Sequence, residues 1–238
     1  MRGDCLERMK EIPDASVDLI LTDPPYGTTA CKWDSVIPLG FMWTQVNRIS
    51  VGANVIFGGP PWGSILINSN IKQFRYCWFW NKKRISNPMQ AKNRPLTNIE
   101  SINVFFKLRA NYYPQGLIKT NKNLGGNKPG SKGLTTEKKK LDYKQEYTNY
   151  PRQLIEFPAD NYGVNKFHPT QKPVALLEYL IKTYTKEGDT VLDFCMGSGS
   201  TGVAALNLKR KFIGIELERE YFRIARKRCR EAIEGGMR

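Results

Sequence analysis

Apolar residues along this chain come in short runs that end at glycine, proline or aspartate. Val17-Asp18-Leu19-Ile20-Leu21 reads as a buried strand, and Ala53-Asn54-Val55-Ile56-Phe57, closed by Gly58-Gly59-Pro60-Pro61, reads as another. Both runs are nearly continuous in apolar character, which suits parallel strands covered on both faces. Phe74 to Trp80 is aromatic and β-prone, and Ile102 to Phe106 repeats the strand signature. The first hundred or so residues therefore predict several strands with helical connections. Order of the same kind returns after His168. Pro173 to Thr183 is amphipathic and helical, and Gly188-Asp189 turns the chain into a strand from Thr190 to Phe194. A glycine loop and an Ala/Leu-rich helix to Leu208 follow, then a strand Lys211–Ile215 and a basic helix from Glu218 to about Ile233. No internal repeat is visible.

Between these regions, from Asn111 to about Gln153, the chain is rich in Gly, Asn, Lys and Tyr. From Lys119 to Lys140 only Glu137 opposes the lysines, among them Lys138, Lys139 and Lys140. Such a stretch builds a poor core and suits either a solvated loop or a surface facing phosphates. The expected organisation is a catalytic half over 1–110, a basic insert over 111–160 and a second catalytic half over 161–238. The whole chain, 238 residues with a formal net charge of +15, is long enough for a sizeable core, and its charge favours a polyanionic partner. No apolar stretch is long enough to span a bilayer, and Arg2-Gly3-Asp4 leaves no room for a signal-peptide core, so a soluble, intracellular protein without a membrane partner is expected. The five cysteines are widely spaced, with no Cys-x-x-Cys pair and a single histidine, His168, which supports neither a metal site nor a disulfide framework. They read as reduced, mostly buried small hydrophobes, and none follows a proline.

Gly197, Gly199 and Gly202 match G-x-G-x-x-G between a strand and a helix, with Glu216 at the tip of the next strand. Glycines allow a tight turn and close backbone approach to a ligand, and a carboxylate at the second strand end can accept both ribose hydroxyls of an adenosine. A Walker phosphate loop is excluded, because no Lys-Ser/Thr follows the glycines at the required position. A dinucleotide would fit these residues equally well, so topology must decide. Only two strands remain from the loop's own strand to the C-terminus, and a complete doubly wound sheet must take the others from earlier residues. The expected sheet is therefore circularly permuted, with the Asp193–Gly202 turn beside the turn that follows Leu21.

That second turn is Asp23-Pro24-Pro25-Tyr26. It places a carboxylate, a proline-rigid carbonyl and an aromatic ring within a few residues of one another, and the prolines hold the turn at little further entropic cost. An amine on a heteroaromatic ring is a weak nucleophile because its lone pair is delocalised. Acceptors for both of its N–H bonds raise its reactivity, and Asp23 with the Pro24 carbonyl can serve. Tyr26 can stack on a base taken out of a helix.

With these blocks in this order, the sequence resembles the S-adenosylmethionine-dependent DNA amino-methyltransferases, in the permuted beta group where Asp-Pro-Pro-Tyr precedes the glycine motif. The blocks are Gly3-Asp4-Cys5-Leu6, Asp18 to Tyr26, His168-Pro169-Thr170-Gln171-Lys172-Pro173, and Asp193 to Gly202 with Glu216; a weaker one is Trp80-Asn81-Lys82 with Asn87-Pro88-Met89. The resemblance implies an α/β, Rossmann-like methyltransferase sheet, circularly permuted, with a basic target-recognition insert. It implies that Asp193, Phe194, Gly197, Ser198, Gly199 and Thr201 surround the methionine part of S-adenosylmethionine. Glu216 would hold the ribose, and Asp4 with Cys5 the adenine. Thr170 and Lys172 would approach the cofactor's carboxylate, and a turn capping the next helix is the rival role for this pair. Asp23, Pro24, Pro25 and Tyr26 would hold the target base, with Asp23 also near the cofactor. Trp80 and Lys82 would lie toward the nucleic acid, although a core role is the commoner fate of a tryptophan in such a strand. Lys138, Lys139 and Lys140 would contact phosphates of double-stranded DNA. Transfer would be direct, with no metal. In this family Asp at the first position of the tetrapeptide leans toward adenine N6, and Ser toward cytosine N4. Cytosine N4 stays open, as do an NAD-type oxidoreductase, a non-enzymatic DNA-binding protein and an RNA substrate. The resemblance also leaves open monomer or homodimer, and a cognate restriction endonuclease as partner in a bacterial or phage-infected cytoplasm.

Overall fold

The structure, a computed structural model, describes residues 1–27, 36–123, 144–159 and 171–236. Its helices are α1 (Cys5–Met9), α2 (Leu39–Ile49), α3 (Trp62–Ser69), α4 (Val174–Tyr184), α5 (Ser200–Asn207) and α6 (Arg219–Gly236). Its strands are β1 (Val17–Thr22), β2 (Ser50–Phe57), β3 (Phe74–Asn81), β4 (Ile99–Phe105), β5 (Ile118–Asn123), β6 (Lys144–Thr148), β7 (Leu154–Glu156), β8 (Thr190–Asp193) and β9 (Lys211–Gly214). Seven of the strands form one sheet in the order β7-β3-β4-β2-β1-β8-β9. β8 and β9, the strands on either side of the glycine loop, thus join the N-terminal strands through β1 and β8, which pair in parallel with Leu19 opposite Val191 and Ile20 opposite Leu192. This is the permuted arrangement expected from the order of the motifs.

The two apolar runs of the N-terminal region are parallel neighbours, Leu19 opposite Ala53 and Thr22 opposite Ile56. One expectation needs correcting. β3 and β4 are joined by a hairpin with a single 3-10 turn at Pro88–Gln90, not by an α-helix, because β4 runs antiparallel to both β3 and β2 and needs no crossover. Alternation along the strands divides the core between the sheet's two faces. Leu19, Leu21, Val55 and Val104 pack with α4 and α5, whereas Ile20, Ile56 and Phe105 pack with α1, α2 and α3. The register with β2 shifts between Val17 and Leu19, and Val17 packs with Ile20 on the second face. Each such aliphatic side chain, fully buried, contributes about 1.5–3 kcal/mol before conformational entropy is counted.

The chain divides into two compact units, Met1–Tyr113 with Gln153–Arg238, and Pro114–Arg152. Within the smaller unit, β5 and β6 pair antiparallel with Ile118 opposite Thr148, and the Asn149 amide donates to the Gly116 carbonyl at 2.7 Å. Lys138, Lys139 and Lys140 lie outside the described residues, as do His168 and Thr170.

Candidate active site

Parallel strands β1, β8 and β9 end side by side, so the segments leaving them converge at one edge of the sheet. The N-terminus joins them. Residues 1–3 run along β9's continuation, the Gly3 N–H donating to the Glu216 carbonyl and the Glu216 N–H to the Met1 carbonyl, at 3.0 and 3.1 Å. A cavity of about 810 Å³ opens here, lined by both the Asp23–Tyr26 turn and the glycine loop. That is large enough to hold a nucleoside-sized ligand together with a base.

On the glycine-loop side, Gly199 sits at φ +80° as the residue before α5, and a Cβ there would come within 2.8 Å of the Ala225 Cβ. Conformation and packing both demand glycine at this position. Gly202 lets α5 pack on Phe212, whose ring would be 2.6 Å from an added Cβ. Glu216 receives the Gly197 N–H at 2.9 Å and the Glu218 N–H at 2.8 Å, one on each oxygen. Burial pushes its carboxyl above the usual range, against those backbone donors. Asp193, 4% exposed, takes three protein donors: Thr22 and Thr201 hydroxyls at 2.8 and 2.7 Å, and the Cys195 N–H at 3.1 Å. It ties the end of β1 to the glycine loop and to α5. Burial raises its carboxyl to about 6, with the two threonines opposing.

Asp4 lines the cavity, but its carboxylate caps α1 by accepting the Leu6 and Glu7 N–H groups at 2.9 and 3.1 Å. Cys5 and Cys195 share a hydrogen bond, which together with burial holds the Cys195 thiol protonated. Phe194 is buried at 1% exposure, and Ser198 accepts from Arg228 and meets the Gln171 side chain at 3.3 Å.

The opposite side of the cavity is built on charge. The Tyr26 hydroxyl donates to Asp23 Oδ1 at 2.5 Å, and the Tyr26 ring stacks on Trp62 at 4.8 Å between centroids. Lys172 Nζ binds Asp23 Oδ2 and lies 3.2 Å from Glu100 Oε1, while Lys82 Nζ is 2.8 Å from Glu100 Oε2. Lys172 Nζ also sits over the Phe57 ring, 4.9 Å from its centre. Burial alone would pull Lys172 down, but Asp23 and Glu100 outweigh it and raise the ammonium above its usual range. Burial pushes Asp23 up, Lys172 opposes this, and Glu100 adds to it. Glu100 stays below its ordinary value, because Lys172 and Lys82 overcome its burial.

The residues singled out from the sequence and described here line this one cavity, with particular differences. Gly199 is not among the lining residues: the face where a side chain would stand is turned to Ala225 on α6, so its part is to let the loop pack there. The Lys172 ammonium is directed at Asp23 and Glu100. Trp80 is 2% exposed in the core wall, its indole N–H donating to the Phe157 carbonyl at 2.7 Å. Sequence reasoning missed Glu100, Trp62, Phe57 and Gln171, all of which line the cavity. Gly58-Gly59-Pro60-Pro61 marked the turn that delivers Trp62, and Gln171 stands within a quoted motif. Glu100 carries no local signal beyond a carboxylate in a strand.

A family profile described as a DNA methylase, N6_N4_Mtase, matches residues 17–227. The DNA adenine methyltransferase YhdJ of Escherichia coli (strain K12) is 32% identical over 249 residues, spanning 96% of this chain and 81% of that protein. The Type II methyltransferase M.HinfI of Haemophilus influenzae is 31% identical over 97% of this chain and 68% of its own length. Among solved structures, that of the M1.HpyAVI-SAM complex aligns with a TM-score of 0.65 at 26% identity, covering 96% of this chain and 97% of that one. The PvuII cytosine-N4-specific DNA methyltransferase aligns with a TM-score of 0.69 over 100% of this chain and 90% of its own; at 18% identity this is a likeness of fold alone.

Proposed function

Because this chain belongs to the N6/N4 DNA methylase family, we propose that it moves a methyl group from S-adenosylmethionine to adenine N6 in duplex DNA. The observation that carries the reading is the single cavity shared by Asp23–Tyr26 and by the glycine loop with Glu216. An acceptor site for an amine and a cradle for a nucleoside cofactor lie there on adjacent strands. Family membership leaves the oxidoreductase and binding-only readings without support.

The residues fit the cofactor. The Glu216 carboxylate, at the cavity wall, accepts backbone N–H groups on both oxygens and, with about two acceptor sites per oxygen, retains capacity for ribose hydroxyls. Phe194 and Met196 give the same wall an apolar lining, and Gly197 lets the backbone approach without a Cβ atom. When bound, S-adenosylmethionine supplies a methyl carbon on a positively charged sulfur, which retains the bond's electron pair on transfer.

Asp23 accepts an N–H of the target amine, directing the nitrogen lone pair toward the methyl carbon. Tyr26 and Lys172 each hold one of its two oxygens. Charge developing on the nitrogen is stabilised by the carboxylate, and because the amine becomes acidic only as its N–C bond forms, Asp23 need not be a strong base. The Tyr26–Trp62 stack offers an aromatic surface for a base turned out of the helix.

Adenine is favoured over cytosine by Asp23 at the head of the tetrapeptide and by the named adenine specificity of YhdJ. The net charge of +15 favours DNA contact, with the unit Pro114–Arg152 as the region for target recognition. The Type II names among its relatives favour a place beside a restriction endonuclease. Incubation of the protein with unmethylated genomic DNA and S-adenosylmethionine, followed by nucleoside mass spectrometry, is expected to yield N6-methyladenine. N4-methylcytosine instead would overturn the base assignment, and absence of both beside an active control enzyme would overturn the activity on DNA.

A further inference from the structure

The charged cluster on the base side of the cavity comes from segments far apart in sequence. Asp23 stands at the end of β1, Lys82 just past β3, Glu100 in β4 and Lys172 just before α4. Their side chains are poorly exposed, 23% for Asp23, 19% for Lys82, 13% for Glu100 and 11% for Lys172. The formal charges cancel, two carboxylates against two ammoniums, and the contacts alternate in sign from Asp23 to Lys172 to Glu100 to Lys82. Removing one member leaves an uncompensated charge in a poorly solvated place, which costs far more than a surface ion pair contributes.

We infer that Lys172 is a positioning residue, its ammonium clamped between Asp23 and Glu100 so that the Asp23 carboxylate stays ionised and offers its remaining lone pairs to the amine. The inference rests on the proposed amine methylation for its purpose, but its physical content concerns the free protein. An ionised carboxylate has acceptor sites only, about two per oxygen. Tyr26 uses one on Oδ1 and Lys172 one on Oδ2, so each oxygen retains one for the amine N–H. A protonated Asp23 would instead present a hydroxyl donor to an N–H group. Burial drives Asp23 toward that useless state, and Lys172 opposes it. Glu100 acts on Asp23 in two ways. It repels the carboxylate directly, and it holds Lys172 charged and in place, itself neutralised by Lys82 on its other oxygen. Among the described residues, the other groups facing Asp23 are the Tyr26 hydroxyl, from its own turn, and Asp193 at the end of β8, whose carboxylate interacts with it repulsively.

This arrangement predicts opposite responses to two neutralising substitutions, which a merely structural role for the cluster does not produce. The test is a titration of the carboxyl carbons by ¹³C NMR on the whole, ligand-free protein, with the Asp23 resonance assigned by its loss in Asp23→Asn. In Lys172→Met the Asp23 midpoint is expected to rise by about one pH unit or more, and in Glu100→Gln to fall; Lys172→Arg, which keeps the charge, should leave it nearly in place. Should Lys172→Met fail to fold, Lys172→Gln, which keeps a polar group while removing the charge, takes its place with the same expected rise, and an unmoved midpoint in it overturns the inference equally. An Asp23 midpoint unmoved by Lys172→Met, or moved in the same direction by both substitutions, overturns the inference. Cofactor affinity, measured by calorimetry, should be nearly unchanged in Lys172→Met, and a loss of about tenfold or more would assign Lys172 to the cofactor instead. Neither measurement depends on turnover, so a wild-type protein inactive on DNA would overturn the proposed reaction without touching this one. If the wild type methylates DNA, the acid limb of kcat in each variant should move with its Asp23 midpoint.

Discussion

Asp23 and Glu216 line the same cavity, yet Asp23 is held by a lysine ammonium and a phenol while Glu216 is held by two backbone N–H groups. The base side therefore depends on side chains contributed by β1, β4 and the segment before α4, and its electrostatics respond to any one of them. The cofactor side depends on the local course of one loop, and its acceptors remain in place as long as the glycines let that loop form. Rigid prolines serve the first side and permissive glycines the second. The difference suits the two tasks: an amine needs a poised charge, whereas a nucleoside needs close backbone approach.

The largest effect is expected from Asp23→Ala. It should lower kcat by about a thousandfold or more while S-adenosylmethionine affinity stays within about threefold, because its proposed contact is to the reacting nitrogen. Single-turnover methylation and calorimetry on the same preparation check both halves, and near-normal turnover would remove Asp23 from the chemistry. On the other side, Gly199→Val should cost roughly 2–5 kcal/mol of stability in urea unfolding, from a left-handed backbone and a clash with Ala225. Gly40→Ala in α2, where an added Cβ meets nothing within 4 Å, should stabilise by about 0.5–1 kcal/mol. Glu216→Ala should weaken S-adenosylmethionine binding by about ten- to a hundredfold and leave DNA affinity intact; calorimetry showing equal cofactor affinity would break the contrast drawn above.

The smallest effect concerns Asp193, which belongs to both sides through Thr22 and Thr201. Its carboxyl is raised to about 6 by burial, so the native state binds this proton more tightly than the unfolded chain does. Its ionisation therefore costs stability above about pH 6, and that cost is relieved as the pH falls toward 4. Asp193→Asn removes the titration. The difference in Tm between wild type and variant should change across pH 4 to 7, and a constant difference would show that Asp193 does not titrate there.

Much of this was legible along the chain. The Asp-Pro-Pro-Tyr turn, the glycines and Glu216 carry their meaning locally: proline and glycine constrain their own backbone, and a strand's apolar run declares its burial. Even the permuted sheet followed from the order of motifs, with the Asp-Pro-Pro-Tyr turn ahead of the glycine loop along the chain and beside it in the sheet. The hairpin between β3 and β4 was not legible, because whether two strands pair antiparallel depends on their places in the sheet and not on their composition.

What the sequence by itself determined, then, were the turns, the strand runs and the identity of the polar groups that those turns carry to the cavity, each a matter of covalent geometry or of apolar pattern over a few residues. Only the tertiary structure decided their partners. It set Lys172 against Asp23 across 149 positions of sequence, brought Glu100 between two lysines, and slid Trp62 under Tyr26. Such pairings follow from the order of strands in the sheet, which brings distant residues to one edge, and from the cost of burying a charge without its counter-charge, which only the folded chain imposes.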